Sequence, residues 1–148
     1  MRLIEKSFQL SLNDLKLNWK EIEGSKSNLL ILETYKSVDD LDCPERYRDD
    51  SEIPWCACYI NKKIQDAGGR GTRSCVARSF LHWGNKSNGK IGDIVIFERG
   101  NNGYSGHVAF IYEIKETSII CLGGNQQDNV CLHEYDKSKV LGFRTSKD

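Results

Sequence analysis

Apolar positions recur along this chain at two different periods, and the change falls in the polar stretch after Gly84. Before it the spacing is helical. Leu15, Leu17 and Trp19 follow Ser11 and Asn13, either of which can cap a short helix, and Gly24 interrupts the pattern. The run Ser27 to Tyr35 resumes it with an apolar face, and an acidic loop over 37–51 ends just before Pro54. Pro54 suits a first helical turn, where its missing N–H costs nothing. The spacing then predicts a helix from Trp55 to Ala67, stopped by Gly68-Gly69. Ser74 is placed to cap a further helix through Val76, Ala77, Phe80 and Leu81, closed by Gly84.

After the Gly/Asn/Lys loop the chain reads as strands. Gly92-Asp93 opens Ile94 to Phe97, and a loop over Arg99 to Gly106 leads to His107 to Tyr112. A turn near Lys115 to Ser118 precedes Ile119 to Leu122, which Gly123-Gly124 stops. Shorter strands over Val130 to Tyr135 and Val140 to Arg144 close the sequence. Helices first and an antiparallel meander after them predict an α+β domain. The 148 residues suit one domain with a single core, over about 13–144, and no internal repeat is visible.

Composition narrows the function classes. Lys plus Arg is 21 and Asp plus Glu is 21, so the formal net charge is zero. That balance argues against nucleic acid or anionic lipid as the main partner. No apolar run is long enough to span a bilayer, and the first residues lack a signal-peptide core, so the expectation is cytoplasmic synthesis without membrane insertion. The six cysteines, at 43, 56, 58, 75, 121 and 131, form no CxxC pair and no zinc pattern. A disulfide scaffold is not expected in a chain long enough to build a core, so most thiols should be reduced. No metal-ligand set and no calcium loop is visible, and no cofactor is called for.

One cysteine stands apart. Cys56 falls in the first turn of a predicted helix, where unpaired N–H groups favour a thiolate and are placed to hold a developing oxyanion. Its natural partner is His107, after Gly106 at the start of a strand; His82, late in a helix, and His133, in a short strand, fit less well. If the hairpin turn centres on Glu116-Thr117, residues whose numbers total about 232 or 233 face each other. His107 then faces Asn125 or Gln126, and a side-chain amide there would fix the imidazole's tautomer and orientation. Nucleophile, base and orienter are thus all available. Trp55, Tyr104 and Gln126 are candidates to line a substrate groove, although core packing is the ordinary role of a tryptophan. Cys58, about 200° around the helix from Cys56, should face the core. Asp49, Asp50 and Glu52 read as a solvated acidic loop, and Asp93 as a loop–strand junction.

Five blocks occur in a fixed order: Ile53-Pro54-Trp55-Cys56-Ala57; Gly71-Thr72 with Ala77-Arg78-Ser79-Phe80 and Trp83-Gly84; Gly92 to Phe97; Gly106-His107-Val108-Ala109-Phe110; and Leu122-Gly123-Gly124-Asn125-Gln126. Together they resemble a small peptidoglycan hydrolase family of the CHAP and NlpC-type cysteine peptidase superfamily, common among phage lysins and prophage proteins. The likeness runs over nearly the whole chain. It implies a papain-like α+β fold, with N-terminal helices packed on an antiparallel meander, that hydrolyses amide bonds in bacterial cell-wall peptides. On that resemblance Cys56 is the nucleophile, His107 the base and Asn125 the orienter.

The implied substrate is peptidoglycan, and the implied place of action is the periplasm or cell wall after release. Release with a phage holin, or the immunity protein of a secreted effector, are the partners such a route calls for. Two rival readings are an acyltransferase or deamidating toxin on the same fold, and a non-catalytic wall-binding module. Competent residues at all three positions argue against the second.

Overall fold

A computed structural model describes residues 1–17, 55–100, 103, 105–126 and 129–148, and not the side chains of 125, 126 and 129. The predicted helix over 27–35 and the acidic loop therefore lie outside the described residues. The architecture is α+β, of the kind expected for a papain-like CHAP fold: helices lie against one antiparallel sheet. No described helix is long and apolar enough to cross a membrane.

Helix α1 spans Leu3–Leu17, and not a short segment capped at Ser11 or Asn13. Its start is held from the far end of the chain. Ser146 Oγ accepts from the Ile4 amide at 3.2 Å, Asp148 Oδ2 accepts from the Leu3 amide at 2.9 Å, and Glu5 accepts from the Arg2 amide at 3.0 Å. These acceptors satisfy donors at the helix start, two of them from residues distant in sequence. Ser11 instead sits mid-helix, on the buried stripe Ile4, Ser7, Ser11 and Asp14.

Helix α2 spans Cys56–Asp66, close to the predicted bounds. Gly68 has φ +94°, and the amides of Gly68 and Gly69 return to the carbonyls of Gln65 and Ile64, so the helix ends in a Schellman motif, as the glycine pair implied. The segment predicted as a helix after Ser74 is a 3-10 helix, Ala77–His82; Ser74 Oγ accepts from the Val76 amide one turn earlier.

Helices α1 and α2 meet through polar groups. The Tyr59 hydroxyl lies 2.8 Å from Ser11 Oγ and donates to Asp14 Oδ2 at 2.7 Å, while Lys63 Nζ lies 2.7 Å from the same carboxylate. Burial, then the Asp14 charge, push the Tyr59 phenol well up, so it stays a donor. Every member of this buried network is paired, which is the condition under which such a network stabilises.

The six strands are β1 Asn85–Lys86, β2 Ile94–Glu98, β3 Gly106–Ile114, β4 Ser118–Gln126, β5 Asn129–Asp136 and β6 Val140–Thr145, ordered β1-β6-β2-β3-β4-β5. The meander is thus β2 to β5, and β6 returns to pair with β2. Only the 3-10 turn Lys137–Lys139 joins β5 to β6, although four strand spacings, about 19 Å if flat, separate them. So short a link forces the sheet to curl. Its outer face carries Ile94, Ile96, Val108, Phe110 and Leu122 against the helices; its inner face holds Val95, Phe97, Ala109, Ile111, Ile119 and Cys121. Asp93 stands just before β2, where its side chain accepts from Ser87 Oγ and the Lys90 amide.

Replacing Asp14 by Ala removes the nearer of two carboxylates beside the Lys63 ammonium, Asp66 remaining at 3.8 Å. The expected loss is about 1–3 kcal/mol in urea unfolding, and an Asp14→Leu/Lys63→Met double variant should recover much of it.

Candidate active site

Cys56 opens α2 directly after Trp55, whose backbone turns the chain into the helix without a side-chain cap. The backbone amides of Val108 on β3, Ala57 and Cys56 itself all bond the sulfur, and the Arg99 guanidinium adds a positive charge. Each of these favours the thiolate. Burial opposes them and wins: the residue is 1% exposed, and its thiol lies above the ordinary cysteine pKa. The helix-start amides expected to favour a thiolate do bond the sulfur, and burial outweighs them. The local field has the expected sign, but desolvation is the larger effect.

His107 is the second residue of β3, paired with Phe97 on β2 and 1% exposed. Its Nδ1 lies 3.5 Å from Arg99 Nη2, and its ring lies 5.0 Å from that of Tyr135, tilted by 31°. Tyr135 also stacks on Phe97 at 4.9 Å and meets His133 edge-on at 4.8 Å. Phe97 and Tyr135 belong to strands three places apart in the sheet, so only the curl brings both rings to His107. Val108 is the residue after His107, so the backbone amide that holds the Cys56 sulfur adjoins the imidazole's own strand position. Arg99 links the two positions: its charge acts on the sulfur, and its Nη2 lies 3.5 Å from the imidazole Nδ1.

Arg99 and Tyr135 are the residues that sequence reasoning missed. Arg99 left a faint signal, a cation directly after β2 whose amide closes the loop onto the Ser105 carbonyl at 3.2 Å. Arg78 Nε donates to the same carbonyl at 2.9 Å and braces the loop from the 3-10 helix. Tyr135 left none, because its place depends on the curl.

The other candidates divide. Trp55 has no exposed surface and packs edge-on against Tyr59, so it belongs to the core and not to a groove. Tyr104 lies outside the described residues, as do the side chains of Asn125 and Gln126, whose backbone forms the end of β4. Of the other histidines, His82 is exposed on the 3-10 helix, and His133 shares Tyr135 with His107. Cys58 and Cys121 are buried and not disulfide-bonded, and burial pushes both thiols far up. Cys75 is disulfide-bonded, whereas the other described cysteines, Cys56, Cys58, Cys121 and Cys131, are not, in keeping with the expectation that most thiols are reduced.

A cavity of about 250 Å³ opens beside Cys56, walled by Val76, Ala77 and Gly106 and edged by Ser105, Arg99 and Cys75. A further cavity of about 320 Å³ lies at the other end of α2, beside Asn61, Arg70 and Arg73. Asn61 there is a brace: its amide donates to the Ala57 and Ser74 carbonyls and its oxygen accepts from the Arg73 amide. Among the described residues no group of three or more His, Cys, Asp or Glu side chains could hold a metal.

A family model for the CHAP domain matches residues 48–125, just over half of the chain. The chain belongs to the CHAP domain family. The match takes in α2 with Cys56, the loop with Arg99, and His107. CHAP membership brings with it peptidoglycan-related amidase or peptidase activity in general terms. No curated protein matches the chain.

In this CHAP domain, alkylation of Cys56 by iodoacetamide should rise with pH to a midpoint above that of an ordinary cysteine, because burial disfavours the thiolate of the resting site. Peptide mapping of the labelled protein reads it. A midpoint below neutrality would mean that the thiolate is already formed at rest.

Proposed function

We propose that this CHAP domain is a peptidoglycan hydrolase that cleaves an amide bond of bacterial wall peptides through a thioester on Cys56, with His107 as base and Asn125 as orienter. It acts in the wall compartment, in the manner of an endolysin. The observation that carries the reading is a buried thiol at a helix start whose sulfur meets the backbone amide next to His107, with Arg99 beside both, inside the segment the family model covers.

In the first step His107 takes the Cys56 proton as sulfur attacks the carbonyl carbon. Deferring ionisation to this moment suits a thiol whose burial disfavours a standing thiolate. The tetrahedral oxyanion is stabilised by first-turn amides of α2, which have no acceptor earlier in the helix. Collapse breaks the C–N bond, and the imidazolium returns its proton to the leaving amine. A water that His107 deprotonates then attacks the thioester, giving a carboxylate and the regenerated thiol.

The nearer β3–β4 pairs, Phe110 with Leu122 and Ile111 with Cys121, support Asn125 as orienter, because their register, carried unbroken toward His107, faces Asn125. The irregularity between Gly123 and Gln126 in the β4–β5 pairing adds a residue to β4, and a matching slip against β3 would bring Gln126 to that place instead.

Digestion of purified peptidoglycan, with fragments identified by mass spectrometry, tests the proposal. Cys56→Ala and His107→Ala should each lower product release on the order of 10⁴-fold or more, and the double variant should be no worse than either. Asn125→Ala should cost roughly 10–1000-fold and Gln126→Ala less. Undiminished release by Cys56→Ala would overturn the mechanism, and a crippled Gln126→Ala beside a healthy Asn125→Ala would move the orienter by one residue.

A further inference from the structure

The cavity beside Cys56 is apolar on one wall and cationic at its edge. Val76, Ala77 and Gly106 form the wall, and Arg99 is the charged side chain among its described lining residues. Arg99 is exposed, and among the described residues no carboxylate pairs with it; the neighbouring Glu98 faces Lys139 instead, at 3.9 Å. The backbone that carries Arg99 is nonetheless braced. The Arg99 amide is tied to Ser105, Arg78 braces the same carbonyl, and Gly106 follows, where a Cβ would press on the Phe97 carbonyl at 2.8 Å.

We propose that Arg99 is the specificity-determining residue of this site and binds a free carboxylate of the substrate beside the scissile amide. The proposal rests on the hydrolase reading for its substrate, a wall peptide that carries acidic groups.

Charge arithmetic at the site favours such a ligand. A guanidinium 3.5 Å from Nδ1 of His107 repels the proton that the imidazole must accept from Cys56. The same cation favours the thiolate. A carboxylate arriving on the guanidinium cancels the repulsion, so an acidic substrate both docks and releases His107 to act as base. The planar fork offers it bidentate hydrogen bonds, which a neutral amide accepts less well.

The test uses purified muropeptides with free stem carboxylates and the same muropeptides with those groups converted to carboxamides. Cleavage by the wild type, R99K and R99Q gives kcat and KM, and calorimetric binding to Cys56→Ala, with and without R99Q, is read alongside. The wild type should prefer the acidic form by roughly 10–100-fold, the range of a hydrogen bond to a charged group. R99Q should erase the preference chiefly through KM, R99K should keep part of it, and binding to Cys56→Ala should show the same selectivity, lost on adding R99Q. An acid-to-amide ratio unchanged in R99Q, or equal binding of both forms, overturns the proposal even if peptidoglycan is cleaved. Selective, Arg99-dependent binding without any cleavage by the wild type would leave Arg99's role standing and overturn the hydrolase reading instead.

Discussion

Trp55 and Tyr59 lie directly on the backbone of Gly124, and that close approach fixes where α2 rests on the sheet. A Cβ at 124 would collide with the Trp55 ring and crowd Tyr59 Cβ, so α2 can settle to this depth only over a bare backbone. Trp55 is also the residue from which the chain enters α2, so its seating sets the height of Cys56 in the next position. At that height the sulfur meets the Val108 amide of β3. Tyr59, one turn on, carries the same constraint outward, because its hydroxyl anchors α1 through Ser11 and Asp14. One packing contact thus orders the helical layer and delivers the thiol to the strand that bears His107.

The sheet makes the complementary adjustment. Its curl, imposed by the three-residue link from β5 to β6, folds Tyr135 inward until its ring bears on Phe97, His107 and His133. Aromatic contacts of this kind restrict the imidazole without competing for its nitrogens, one of which, Nδ1, faces Arg99. The arrangement has a cost. Enclosing Cys56 so completely raises its thiol pKa, and the amide bonds and the Arg99 charge offset the desolvation only in part. A site built this way favours the protonated thiol at rest. For the hydrolase proposed above that would suppress stray thiol chemistry.

Much of this was legible in the residues alone, because it depends on neighbours in sequence. The glycine pair after α2, the strand periods from Ile94 onward and the turn at 115–118 are local, and the turn gave the β3–β4 register to within one residue: the pairs total 232 near Ile111 and 233 beyond it. Cys56 at a helix start and His107 at a strand start followed from the same signals.

What the assembled fold alone decided is whatever depends on residues distant in sequence or on burial. Helix α1 begins at Leu3 because Ser146 and Asp148, at the opposite end of the chain, supply its first acceptors. Strand β6 lies beside β2, and not beside β5, because the sheet curls. Arg99 and Tyr135 enter the site by the same closure. The direction of the Cys56 pKa shift was out of reach for a further reason. Periodicity reports which face of a helix is buried, but the competition between desolvation and a helix-start field is settled only when every neighbouring atom has its place.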